Sequence, residues 1–230
     1  MLHMCALVLP PWQVLVALLG ITTPNVNLLY HPINWTTKVV ALLVSILCLL
    51  AGWVTADETG LRGPSRASLR VVVPVVGLVL LVLFADAYFS RHAFAPLWWH
   101  EQLFYAIVPG LEEELFYRGI LLGLLGRVFP HTIPLPGTRT SWGGLVGVLL
   151  FALGHGIRFW SVSLLGNGWQ TLTHAWWWQS LLHFPFPDAA YYGLMGLLFL
   201  WVRERTGSVW AAVASHCLVN TALTIGHAIS

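Results

Sequence analysis

Charge is what this sequence has least of. Of its 230 residues, 9% are Asp, Glu, Lys or Arg, against about 25% in a soluble globular protein. Eleven basic and nine acidic side chains are too few to cover a soluble domain of this length. The shortage excludes a soluble enzyme, a disordered tail and a nucleic-acid binder with a basic patch, so no nucleic acid is expected as a partner. Cysteine is also scarce. Cys5, Cys48 and Cys217 lie in apolar runs without Cys-x-x-Cys spacing. That excludes a disulfide framework and a thiolate zinc site, and leaves buried small hydrophobes. No Lys or Arg precedes the first apolar run. The cationic start of a cleavable signal peptide is therefore missing, and a retained span is expected. There is no Gly-x-Ser-x-Gly, so a serine nucleophile elbow has no support. There is no His-Glu-x-x-His either. His100-Glu101-Gln102-Leu103-Phe104 has Phe104 where the second histidine would stand.

What is present is apolar. Hydrophobic residues make up 57% of the chain and the mean hydropathy is +0.75, which points to a polytopic integral membrane protein. Apolar segments lie near 5–22 (interrupted by Pro10-Pro11), 38–56, 71–89, 98–128, 141–157, 188–202 and 208–227. The stretch 129–140 is rich in turn residues. Region 158–187 is apolar but broken. It holds Trp160, Trp169, Trp176, Trp177, Trp178, His174 and His183, punctuated by Gly166, Gly168, Pro185 and Pro187. An interfacial or re-entrant segment is expected there, either an interface anchor or a lid beside His155. The expected fold is all-α: a polytopic transmembrane helix bundle of about seven or eight spans. Residues 1–97 would form N-terminal transmembrane helices and 98–230 a core, within one integral membrane domain.

The arginines orient this bundle. Loops 57–70, 127–140 and 203–207 carry three, two and two basic residues, whereas 23–37, 90–100 and 158–187 carry none, one and one. By the positive-inside rule the first group faces the cytoplasm. The alternation fits seven spans, N-terminus inside and C-terminus outside, provided 158–187 does not cross once.

Three patterns carry chemistry. In Glu113-Glu114-Leu115-Phe116-Tyr117-Arg118, carboxylates interrupt an apolar segment, each at a cost of about 2.5–3.5 kcal/mol on insertion scales. Glu114 and Arg118 are i,i+4 and can pair on one helix face. Glu113 is then left for other work, and a desolvated carboxylate suits a general base. Glu112 lies about 100° away on a helix and is expected to face elsewhere, toward water or another polar helix. In Phe151-Ala152-Leu153-Gly154-His155, Phe151 and His155 share a face and Gly154 leaves room beside the histidine. In His216-Cys217-Leu218-Val219-Asn220, two hydrogen-bonding side chains share a face. They are either a helix-packing pair or an oxyanion hole.

Glu-Glu-x-x-x-Arg, Phe-x-x-x-His and His-x-x-x-Asn, in that order on three segments, resemble the CPBP family. This family comprises type II CAAX-prenyl endopeptidases and bacteriocin-processing intramembrane proteases. Glu114-Leu115-Phe116-Tyr117-Arg118-Gly119 and the run Arg203 to Ala212 before His216 carry the resemblance further. It covers roughly residues 100–230, and the earlier spans match only in kind. It implies peptide-bond hydrolysis within the membrane. Glu113 would activate water and His155 would help hold it. Glu114 and Arg118 would orient the site, and His216 and Asn220 would stabilise the oxyanion. A register shift of one along Glu112–Glu114 is the alternative. No cofactor is then required. The other version is a zinc enzyme with Glu113, His155 and His216 as ligands.

The implied partners are the lipid bilayer and a membrane-anchored, lipidated or C-terminal sorting-type protein tail. The oligomeric state is not legible. The implied location is the inner (cytoplasmic) membrane of a bacterium. His155 near the outer end of its span favours outer access, while prenyl-protein processing implies cytoplasmic access. Two other functions fit the composition: a non-catalytic immunity or scaffold protein of the same fold, and a small transporter using Glu and His within the membrane.

Overall fold

The structure is a computed structural model that describes residues 32–90, 99–166 and 186–229. The apolar segment near 5–22 lies outside the described residues, as do positions 167–185 of the Trp-rich region with His174 and His183. The described residues are overwhelmingly helical. In chain order they form α1 Pro32–Leu50, α2 Ala56–Thr59, α3 Arg66–Ser90 and α4 Trp99–Glu114. A π-helical segment, Leu115–Leu121, leads into α5 Leu122–Gly126. Strands β1 Ile133–Leu135 and β2 Thr138–Thr140 follow, then α6 Trp142–Gly166, α7 Phe186–Thr206 and α8 Val209–Ala228.

Two expected boundaries move. Helix α1 already begins at Pro32, inside the expected loop 23–37. Proline is tolerated in a first turn, where its missing N–H would have no partner anyway. Helix α6 runs on to Gly166, past the expected end at 157. The turn-rich stretch 129–140 also holds a small antiparallel hairpin, paired Ile133 with Thr140, Pro134 with Arg139 and Leu135 with Thr138. Gly137 supplies the left-handed turn conformation at φ +68°.

Helices α3 and α8 are each long and apolar enough to cross a bilayer. Most of α3 is apolar and outward-facing, with Val73, Leu78 and Leu81 exposed and Val72, Val76, Leu83 and Ala87 buried. A continuous apolar surface on a helix of this length suits lipid rather than water.

The chain divides into two compact units, residues 1–41 with 148–196 and residues 42–147 with 197–230. In the second unit, Val72 and Val76 of α3 pack with Trp201 and Val202 of α7 and Ala211 of α8. Gly226 of α8 meets Phe84 and Ala87 of α3 so closely that a Cβ there would lie 2.8 Å from that of Ala87.

The three arginine-rich loops meet at one end of this unit. Arg62 Nε donates to Gly207 O (2.9 Å) and Arg203 Nη2 to Glu58 O (3.1 Å). The backbone N–H of Val209 donates to Gly60 O (2.9 Å). Arg127 makes two bonds to the Glu58 carboxylate, at 2.8 and 2.9 Å. The hairpin joins through Glu204, whose side chain accepts from Thr140 Oγ1 (2.8 Å) and whose carbonyl accepts from Thr138 Oγ1 (3.1 Å). Glu58 also closes a capping box on α2 with Thr55. Arg127 together with Thr55 holds the Glu58 carboxyl down at about 2 from its ordinary 4.5.

Candidate active site

Helix α4 brings the carboxylates and α8 the histidine and asparagine. The two helices pack against each other and come close at Gly110. A Cβ on Gly110 would lie 2.7 Å from Cys217 Sγ and 3.1 Å from the Cys217 nitrogen. Only hydrogen at that position lets α8 sit this close.

That approach brings His216 to Glu114. Glu114 is fully buried, and its Oε1 accepts from His216 Nδ1 at 2.9 Å and from Arg118 Nη1 at 3.0 Å. The expected i,i+4 pair is thus present, and a histidine 102 residues away joins it. The carboxylate can only accept, so Nδ1 of His216 carries a proton and Nε2 points away from Glu114. Arg118 is 1% exposed. Its Cζ lies 5.7 Å from the ring centres of both Tyr117 and Phe199. The Phe199 ring stacks on His216 at 4.5 Å and 12°. Arg118 lies within the π-helical segment, a distortion often found at functional sites. Its backbone carbonyl accepts from Arg203 Nε at 3.2 Å.

Glu113 is 2% exposed. Glu112 is 0% exposed, so it does not face water, and that half of its expected placement is corrected. The whole run Glu112–Glu114 turns inward, because a carboxylate facing lipid would be more costly than one among polar groups.

Asn220 has a partner that the sequence reading did not foresee. Its Nδ2 donates to Tyr105 O at 3.0 Å. In an α-helix that carbonyl would accept from residue 109, but residue 109 is a proline inside α4 and has no N–H. Asn220 fills the gap. One of its two amide hydrogens is used in this way, and the second is left for another acceptor.

His155 belongs to the other unit. Its Nδ1 lies 2.9 Å from the Phe151 carbonyl one turn back. A carbonyl can only accept, so Nδ1 carries the proton and Nε2 the lone pair in the neutral ring. Tyr192 stacks on the imidazole at 4.0 Å and 18°, and Phe151 lies 4.5 Å away. The shared Phe151–His155 face is therefore real, and its backbone bond selects the tautomer.

Among the described residues, no group of three or more His, Cys, Asp or Glu side chains is placed to hold a metal ion. Sequence reasoning missed Phe199, which shares its apolar run with Trp201 and has nothing to mark it. It also missed the link between Pro109 and Asn220, although a proline within a helical segment does announce an unserved carbonyl.

No curated protein and no solved structure matches the chain. One family model does, over residues 95–222, more than half of the chain. Its description is type II CAAX prenyl endopeptidase, Rce1-like.

Proposed function

Because the chain belongs to this Rce1-like family of type II CAAX prenyl endopeptidases, we propose that it is an intramembrane endopeptidase. In this reading it hydrolyses a peptide bond in a membrane-anchored, lipidated or C-terminal sorting-type protein tail. The observation that carries the reading is the double hydrogen bond at Glu114 Oε1. One fully buried carboxylate fixes both the motif arginine and the motif histidine.

The roles follow from the chemistry of each group. Glu113, buried beside this cluster in sequence and acceptor-only when ionised, is the general base that removes a proton from water. His155, with Nδ1 bonded to the Phe151 carbonyl, has Nε2 as its basic nitrogen, the atom that the family resemblance would use to help hold water. Attack on the scissile carbonyl puts negative charge on its oxygen. His216 answers that charge from Nε2, which it can do only when both ring nitrogens carry protons; the Glu114 carboxylate is the counter-ion for that form. Asn220 offers its second amide hydrogen. Glu114 and Arg118 position His216 and do not touch the substrate.

The gathering of the arginine-rich loops fits the same reading. Loops 57–70, 127–140 and 203–207 are tied together at one end of their unit, as the charge rule requires for a shared cytoplasmic side. We place α3 and α8, each long and apolar enough to cross a bilayer, among about seven or eight spans in the inner membrane of a bacterium.

The test compares C-termini across the membrane proteome of cells carrying the wild type or Glu113→Ala. Uncleaved tails that accumulate in the variant would name the substrate. Identical C-termini would contradict the reading. A chelator added to the purified enzyme separates the glutamate mechanism, which survives it, from the zinc alternative, which does not.

A further inference from the structure

We propose that Arg203 is a positioning residue of this site, steadying through the Arg118 carbonyl the π-helical turn from which Arg118 reaches Glu114. The proposal rests on the reading of Arg118 as a site residue. In an α-helix the carbonyl of residue 118 would accept from the N–H of Leu122. Here that N–H turns to Tyr117 O and Gly119 O instead, where the wider π-helical pairing hands over to α5. The Arg118 carbonyl is thus passed over by its α-helical donor. Arg203 Nε, 85 residues away in the chain, bonds to it at 3.2 Å.

The surroundings aim Arg203 at that carbonyl. The charge rule alone asks only for a cation in water, as at Arg66 and Arg70, which are exposed. Arg203 is turned inward and is 6% exposed. Its Nη2 donates to Glu58 O at 3.1 Å, so two nitrogens of one planar guanidinium are engaged. Gly60 makes the room, because a Cβ there would lie 2.4 Å from Arg203 Cζ. Glu58 belongs to α2, which is capped at Thr55 and presses on α5. A Cβ on Gly123 of α5 would lie 3.3 Å from Glu58 O. The second anchor of Arg203 therefore adjoins the turn it steadies. Glu114 holds Arg118 at the far end of its side chain, at 3.0 Å, and Arg203 holds it at the backbone. A π-helical turn is a rare departure from α-helical pairing. A return to α-helical pairing would turn the residues beyond it by up to about 100°, one residue's step, and would carry the Arg118 guanidinium away from Glu114.

The test uses the full chain in proteoliposomes. Arg203→Met keeps much of the side-chain length and removes the donors. Arg203→Lys keeps the charge but not the planar fork. The probe is a farnesylated peptide ending in a Cys-aliphatic-aliphatic-Met sequence. Rates are referred to folded protein and taken below the melting transition of every variant. Arg203→Met is expected to lower kcat about tenfold, with KM unchanged. Arg203→Lys is expected to lose less, about threefold, and carries the same test if the methionine variant does not fold. A role in stability alone would leave kcat at the wild-type value, and that result overturns the proposal. A second reading needs no turnover. Protein labelled with ¹³C at the arginine carbonyl and ¹⁵N in glycine reports only the Arg62–Gly63 and Arg118–Gly119 peptide bonds. Gly63→Ala, at a position with open space around it, removes the first signal and leaves the second. The Arg118 carbonyl resonance is expected to move in Arg203→Met and to move less in Arg203→Lys. An unmoved resonance overturns the proposal whatever the cleavage assay gives. If folded Arg118→Ala cleaves the probe at the wild-type rate, the underlying reading of the site fails. If Arg118→Ala does not cleave while both Arg203 variants match the wild type, only the role of Arg203 fails.

Discussion

Glu114 concentrates the energetics of the site in one side chain. It is fully buried, it bonds a nearly buried arginine, and it holds the proton of His216 Nδ1. Breaking a buried ion pair by removing one partner costs about 3 kcal/mol or more. Glu114→Gln keeps the shape and removes the charge. It is expected to lower the thermal stability of the purified protein by that order and to abolish cleavage. A variant that melts like the wild type would mean that the Arg118 charge is balanced elsewhere. Half of this arrangement was legible in the sequence. Helical geometry places Glu114 and Arg118 one turn apart, so their spacing announces the pair. The bond to His216 was not legible, because only the tertiary approach of α8 creates it.

The elements explain why that approach occurs, and what Asn220 does besides chemistry. Gly110 lets α8 close on α4, and Pro109 beside it removes the N–H that would serve Tyr105 O. The asparagine thus repairs a helix as well as standing in a motif, and the two roles can be separated. Asn220→Ala is expected to cost about 1 kcal/mol of stability in the wild type. In a Pro109→Ala background, where the substituted residue supplies the missing N–H, it should cost almost nothing. Thermal melts of the four proteins close this double-mutant cycle. The loss of kcat on removing Asn220 should be the same in both backgrounds if its second hydrogen serves the oxyanion. A kcat that recovers in the double variant would make Asn220 purely structural. Other features at this scale were hidden for definite reasons. Pro134 within Ile133–Leu135 argues against a strand, so the hairpin read only as turns. The π-helical segment over Leu115–Leu121 leaves no mark on hydrophobic periodicity.

At the scale of the whole molecule, the placement of few charges orders the rest. Arg62, Arg127 and Arg203, one from each of the three loops that the charge rule assigns to one side, are joined through Glu58 and the backbone of residues 58 and 207. That these loops lie together was therefore legible. The partners were not, because they come from loops far apart in the chain. Glu58 makes this junction sensitive to acid. Its folded pKa, about 2, lies below the ordinary 4.5. Its contribution is therefore complete above pH 4.5 and is lost as pH falls toward 2. At low salt the melting temperature of the wild type should exceed that of Glu58→Gln at neutral pH, and the gap should close between those two values. The pair is solvent-exposed, so high salt should shrink the gap. A gap independent of pH would show that the charge on Glu58 contributes nothing to stability.

The central claim is that Glu113 is the base in a peptide-bond hydrolysis, and the most direct measurement compares wild type with Glu113→Gln. Both proteins are purified, reconstituted and given the same farnesylated peptide, and their melting curves are recorded alongside. Loss of a positioned general base costs about 10²–10⁴ in rate. The account predicts a fall in kcat of that size, with folding intact. Wild-type turnover by a folded Glu113→Gln would contradict it.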